Sequence, residues 1–377
     1  MEKYGQYRDK GSGIAPFFPI SPPASTPLLL PWHIFLFCIR IPLLTVAWLI
    51  WLFIIQWFPA GGILRKANQW CLLGIPGVWW IDLQVDGVRR GSLAQTPRGR
   101  LPYPGTIIAS SYTSPLDVLY LAAIFDPIFT QSFRNSRHVQ PISQETALAN
   151  CFNIENPLER GKEHKTTDLA TLVKQNPGRV IVVFPETTTS NGRGIMKLSP
   201  SLLSAAKDTK IFAVSLRYTP ADVVTPIPGW LEVFRFIWRL NSRQTHCIRV
   251  RIGQPMTIAK LPASSGVSGE SSPAASPAGK SNARSRTKEA RRSSNFESNF
   301  FDTLQAETTQ KVAGDRESVG SETTDEEGEA MSAVEKRVLD AVADDLARLG
   351  RVKRVSLGVE EKAKFVDAWA KGTKSRK

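Results

Sequence analysis

The sequence predicts an α/β fold with a mixed, largely parallel sheet flanked by helices, preceded by a hydrophobic N-terminal membrane anchor. Three observations carry this reading. Short runs of apolar β-formers, such as Thr106 to Ala109 and Val180 to Val183, each end in a polar corner, the pattern of buried strands. Helical stretches alternate with such runs, which argues for strands joined by crossovers. The stretch Pro27 to Phe58 is apolar with one charge, and a bilayer-spanning helix needs roughly 20 such residues.

The elements follow in order. Residues 1–26 form a polar segment without the charged, apolar and small-residue succession of a signal peptide. Residues 27–81 are expected to be membrane-anchoring helices. Leu43 to Phe58 carries no formal charge, but extending it back to Leu28 brings in Arg40 and Pro42. A charge in mid-membrane is costly, so the expectation is a broken or re-entrant helix pair, kinked at Pro42 with Arg40 at the interface. Trp32, Trp48, Trp51 and Trp57 suit an interfacial belt, and Arg65 and Lys66 put the following domain on the cytoplasmic side. Trp70 to Ile81 is a second apolar patch, expected to rest on the bilayer.

Residues 82–261 are expected to form the α/β domain. Leu83 to Val88 reads as a first strand with a tight Asp86-Gly87 turn. Pro127 to Phe133, Ile211 to Leu216 and Cys247 to Ile252 read as strands. Asp117 onward reads as an amphipathic helix, as does Trp230 to Leu240, and a further helix begins near Glu145. Residues 262–331 are dominated by Ser, Ala, Pro, Gly and charge. Such a stretch buries too little to offset its chain entropy and reads as a disordered insertion. In residues 332–377, Ser332 and Glu335 form a capping box. The helix they start is expected to end at Gly350, with a second short helix over Val359 to Trp369 and a basic tail.

The 377 residues carry 48 Lys and Arg against 34 Asp and Glu, a formal net charge of +14. That balance suits a polyanion. No zinc-ligand spacing, aromatic RNA-binding motif or basic heptad array accompanies it, so an anionic membrane surface, not nucleic acid, is the expected partner. The cysteines, Cys38, Cys71, Cys151 and Cys247, have neither disulfide nor metal spacing, and His33, His138, His164 and His246 have no helix-spaced ligand partner; no metal site is expected.

The chemistry concentrates in two polar corners. One follows Val180 to Val183 and reads Phe184-Pro185-Glu186-Thr187-Thr188-Thr189-Ser190-Asn191-Gly192-Arg193. It offers backbone N–H groups, hydroxyls and a cation, an anion cradle by composition. The other follows Thr106 to Ala109 and reads Ser111-Tyr112-Thr113-Ser114-Pro115-Leu116-Asp117, with Pro115 suited to a first helical turn.

Together the corners resemble two blocks of the glycerolipid acyltransferase superfamily, the PlsC-type lysophosphatidic acid acyltransferases. The first family block is Asn-His-x-Ser-x-x-Asp; here Tyr112 stands at the histidine and Asp117 at the acid. The third is Phe-Pro-Glu-Gly-Thr, often continued to Asn-Gly; here Glu186, Asn191 and Gly192 match and Thr187 replaces the first glycine. A second block with Gly and Arg falls near Asn153 to Lys162, which keeps Arg160. The opening residues, with Met-Glu-Lys-Tyr, Arg-Asp and Gly-Ile-Ala-Pro-Phe, are similar to a fungal group of oleoyl-CoA:lysophosphatidate acyltransferases.

The resemblance implies catalytic roles for Asp117, Glu186 and the position of Tyr112. It implies substrate-binding roles for Thr188, Thr189, Ser190, Asn191, Gly192 and Arg193, with Arg193 facing a lysolipid phosphate. It implies acyl-CoA as co-substrate, no cofactor, lysophospholipid and membrane lipid as partners, and an endoplasmic reticulum or lipid-droplet membrane. Tyrosine, with an ordinary pKa of about 10, is a poor base near neutrality, and His138 is the substitute base suggested by chain order. Two expectations of different class follow. The first is an acyl-CoA-dependent enzyme making phosphatidic acid from lysophosphatidic acid, favoured by Asp117, Glu186 and the intact turn. The second is a catalytically weak or dead relative acting as a lipid-binding membrane scaffold, favoured by Tyr112.

Overall fold

Apolar strands buried on both faces need helices on both faces, and the chain supplies them. The computed structural model describes residues 2–23, 27–58, 62–88, 98–153, 166–260 and 331–374. The expected insertion at 262–331 lies outside the described residues save Met331, as do Arg160 and most of the stretch read as the second block.

The strands are β1 (Val78–Val85), β2 (Ile107–Ser110), β3 (Ile128–Ser132), β4 (Val139–Ile142), β5 (Ile181–Val183), β6 (Gly194–Ile195), β7 (Ile211–Thr219), β8 (His246–Ile252) and β9 (Lys353–Arg354). Seven of the described strands form one sheet in the order β1-β8-β7-β2-β5-β3-β4. The pairs β1/β8, β7/β2, β2/β5 and β5/β3 are parallel, whereas β8/β7 and β3/β4 are antiparallel. The sheet is thus mixed and mostly parallel, as the alternation of elements predicts.

The helices are α1 (Leu30–Phe53), α2 (Ile63–Gly74), α3 (Pro115–Phe125), α4 (Gln144–Asn150), α5 (Leu169–Gln175), α6 (Trp230–Asn241), α7 (Ala333–Gly350) and α8 (Val359–Lys374). Strand alternation divides the core. Ile108 and Val182 pack with residues of α2, α3, α4 and α6. Ile107, Ala109, Ile181 and Val183 pack on the other face with Leu169 and Leu172 of α5 and Leu339, Val342 and Leu346 of α7. A smaller cluster of Phe17, Met196, Ile227, Val355 and Phe365 joins the N-terminal segment to α8.

Several expectations are corrected. The helix after Ser114 is not amphipathic: Pro115 through Ala123 are all buried, because α3 lies between the sheet and α2. The first strand begins at Val78, so Trp79 and Trp80 belong to β1, and the boundary placed at 81/82 falls inside that strand. By contrast, α7 does end at Gly350 as expected, and Arg351 after it takes the left-handed conformation (φ 49°). Arg217 and Arg251 donate to the carbonyls of Gly350 (2.8 Å) and Leu349 (2.7 Å); cations suit a helix C-terminus.

The expected kinked pair is instead one helix that runs through Pro42. Arg40 is tied to loops of the domain. Its guanidinium donates to the carbonyls of Pro76 (3.1 Å), Asn241 (3.3 Å), Gln244 (2.8 Å) and Arg243. His33 contacts the Ser242 carbonyl at 2.6 Å, Asn68 donates to the Ala47 carbonyl at 3.2 Å, and Trp51 donates to Glu145. The helix is therefore tied to the domain on one side, while Phe35, Leu43, Val46 and Phe53 are exposed on the other. Residues Pro27–Trp57 are long and apolar enough to cross a membrane by length and composition.

Candidate functional site

The parallel pairing of β2 with β5 brings the two polar corners together at the strands' C-terminal ends, where open α/β sheets present their sites. Ser114 caps α3, and Asp117 completes a capping box with it. Asp117 Oδ2 accepts from the backbone N–H groups of Thr113 (2.6 Å) and Ser114 (2.9 Å) and from the Thr113 hydroxyl (3.1 Å). Its Oδ1 accepts from the Tyr218 hydroxyl. The carboxyl is fully buried. Desolvation raises it to about 6 against the opposing pull of those hydrogen bonds.

The second corner folds onto the first. Glu186 Oε1 accepts from the N–H of Tyr112 at 3.3 Å and Oε2 from the N–H of Met196 at 3.1 Å. Ser190 N–H donates to the Tyr112 carbonyl at 2.9 Å. Burial pushes Glu186 up to about 8. Thr187 holds the left-handed conformation (φ 60°), and so does Gly192 (φ 68°). The turn geometry that glycine would make easy is thus kept by a β-branched residue, at a cost of about 1–2 kcal/mol.

The other sequence-derived residues are placed as follows. Thr189 donates to the Thr225 carbonyl at 2.6 Å, and Thr188, Thr189, Ser190 and Asn191 are all buried. Asn191 faces the N-terminal segment. Its N–H donates to the Pro16 carbonyl (2.8 Å), and its side-chain amide donates to those of Ala15 (2.8 Å) and Phe18 (2.9 Å). Arg193 is exposed, unlike the residues around it. Tyr112 presents its backbone to Glu186, while its ring stacks on Phe184 at 4.3 Å. Its hydroxyl donates to the Ala147 carbonyl (3.0 Å) and accepts from the Cys151 thiol (3.3 Å). Desolvation holds that phenol well above its ordinary value. His138, just before β4, is exposed and paired with Asp168 at 2.7 Å. Among the described residues no group of three or more His, Cys, Asp or Glu is placed to hold a metal ion.

Three participants escape sequence reasoning. Tyr218 meets Asp117 from β7, the segment Ala15 to Phe18 covers Asn191, and Lys362 of α8 reaches Thr188 and Thr189. Close to the first turn of α3, an apolar cavity of about 500 Å³ is lined by Phe37, Leu44, Trp48, Pro115, Leu119 and Phe152. That size falls within the usual range for small-molecule sites.

The part of the chain that carries both corners is similar to known proteins. Residues 95–219, which contain both corners, match the model of the Acyltransferase family. A protein of Schizosaccharomyces pombe (strain 972 / ATCC 24843) described as "Putative lysophosphatidic acid:oleoyl-CoA acyltransferase" is 27% identical over 247 residues, covering 63% of this chain and 80% of its own length. No solved structure matches the chain. The juxtaposed Asp117 and Glu186 corners thus lie inside the region that matches the Acyltransferase family model.

Proposed function

We propose that this protein is a membrane-bound, acyl-CoA-dependent lysophospholipid acyltransferase that converts lysophosphatidic acid to phosphatidic acid. The observation that carries the reading is the junction of the two corners: Glu186 bonded to the N–H of Tyr112, five residues before the buried Asp117. The relative's printed name supplies the acceptor and donor classes. In the reaction the acceptor hydroxyl attacks the thioester carbonyl, an oxygen ester forms, the carbon–sulfur bond breaks, and the hydroxyl proton leaves with the CoA thiol. Asp117 and Glu186 position the corner that receives the thioester by accepting its backbone N–H groups. The apolar cavity suits an acyl chain. The exposed apolar side of α1, in a chain of net charge +14, suits attachment to an anionic membrane, at the endoplasmic reticulum or a lipid droplet with the domain cytoplasmic.

One observation favours the second reading, a lipid-binding scaffold without turnover. Among the described residues no histidine contacts Asp117 or Glu186, and the Tyr112 phenol is occupied by Ala147 and Cys151. The discriminating experiment supplies lysophosphatidate and oleoyl-CoA to the purified full chain on anionic vesicles. Enzymatic phosphatidate formation supports the first reading. Saturable lipid binding with no thiol release above background supports the second.

A further inference from the structure

Lys362 is 1% exposed, although it lies far along the chain from the matched domain. Its ammonium donates to the Thr188 hydroxyl (2.9 Å), the Thr189 carbonyl (2.6 Å) and the Thr189 hydroxyl (3.0 Å). An ammonium has three donors, and all three partners belong to the turn that carries Glu186. Among the described residues no carboxylate lies within ion-pair distance of it. Burying such a charge costs several kcal/mol, and lysine is almost never fully buried unless paired. An apolar side chain of similar length would fill the space without that cost, so packing alone does not explain a lysine here.

The strained residue beside it does. Thr187 is β-branched and left-handed at φ 60°, a conformation that persists only when its surroundings over-determine it. The two residues that follow Thr187 are those that Lys362 grips. Burial draws the ammonium down to about 7, while the thiol of Cys151 and the carboxyl of Glu186 pull it back up, so the group senses the site's other ionisable side chains.

We propose that Lys362 is a positioning residue of the acyl-transfer site: its three bonds hold the turn left-handed at Thr187, keep Glu186 against Tyr112, and make α8 a component of the site. The proposal rests on the acyltransferase reading.

The test uses the full chain on vesicles with lysophosphatidate and oleoyl-CoA. Displacing a supporting group by about 1 Å can cost on the order of a hundredfold in rate. Lys362→Met should therefore lower kcat by about that factor with KM for oleoyl-CoA within about twofold. Hydrogen exchange at the amides of Thr187 to Asn191 should quicken, while β2 and β5 stay protected. Thr187→Gly in the Lys362→Met background should restore about tenfold of the lost kcat, since glycine adopts the left-handed conformation without a clamp. Unchanged kcat with unchanged turn exchange overturns the proposal. So does a loss of protection that spreads to β2 and β5 without rescue by glycine, because that pattern belongs to general destabilisation. If Lys362→Met fails to fold, Thr188→Val removes one of the three contacts from the other side. It should lower kcat about tenfold with local exchange quickened, and wild-type behaviour in both measures overturns the clamp. Absence of turnover in the wild-type chain defeats the acyltransferase reading instead, and the exchange measurement then decides the clamp on its own.

Discussion

Asn191→Ala is the sharpest probe of how the site is covered. The substitution deletes two side-chain donations, to Ala15 at 2.8 Å and Phe18 at 2.9 Å, and the 3.1 Å acceptance from the Arg193 N–H. The backbone bond to Pro16 at 2.8 Å survives. At about 1 kcal/mol net for each protein hydrogen bond, the N-terminal segment loses about 2 kcal/mol of attachment, and the turn itself about 1 kcal/mol. Each 1.4 kcal/mol or so is a factor of ten in an equilibrium, so the open population of the segment should rise roughly thirtyfold. Trypsin reads this directly, because Arg8 and Lys10 lie within the segment. Where opening and closing outpace cleavage, the proteolysis rate follows the open population. Cleavage at Arg8 and Lys10 should accelerate by about that factor, with cleavage elsewhere in the chain at its wild-type rate. Cleavage no faster than in the wild type would show that Asn191 does not hold the segment.

Other outcomes follow from the same contacts. Burial raises Glu186 from its ordinary 4.5 to about 8, so between those values the folded chain keeps a proton that the unfolded chain releases, and this group's contribution to stability falls as pH rises. Asp117 contributes with the same sign only up to about 6 and Lys362 with the opposite sign only above about 7, so Glu186→Gln should flatten the urea-midpoint slope between pH 6 and 7; an unaltered slope contradicts the assignment. Arg40→Met removes a guanidinium bound to four carbonyls and should cost about 2–4 kcal/mol, read as a lower urea midpoint, while the protein stays with carbonate-washed membranes. Release from the membrane would mean that Arg40, not the apolar side of α1, carries attachment. Tyr112→His removes the phenol's contacts with Ala147 and Cys151; a lower melting temperature with no gain in turnover is expected of an enzyme adapted to tyrosine, and a large gain would support the scaffold reading.

What the sequence discloses is what short-range chemistry determines. Val180 to Val183 and the turn after it are legible because apolar β-formers followed by Pro, Glu, Thr and Asn have few alternatives. The capping box at Ser332/Glu335 is legible because its partners lie three residues apart. The all-round burial of α3 is not, since its position between the sheet and α2 is a tertiary fact. Arg40 reads as a membrane problem in sequence because the carbonyls that satisfy it come from Pro76 and from Asn241 to Gln244. Thr187 gives no local sign that it can replace a glycine, for the lysine beside its turn is 174 residues away from Thr188. Arg193 suggests an anion site by composition, yet it is exposed while the turn before it is buried.

If the juxtaposed Asp117 and Glu186 corners perform acyl transfer as proposed, both carboxyls are needed for turnover. The most direct measurement compares phosphatidate formation from lysophosphatidate and oleoyl-CoA by the wild-type chain, Asp117→Ala and Glu186→Ala, each purified at full length and matched for folded fraction and vesicle binding. Turnover by the wild type, lost by at least about a hundredfold in both variants with attachment intact, is the predicted result. Wild-type turnover that survives both substitutions would show that the two corners do not perform the transfer.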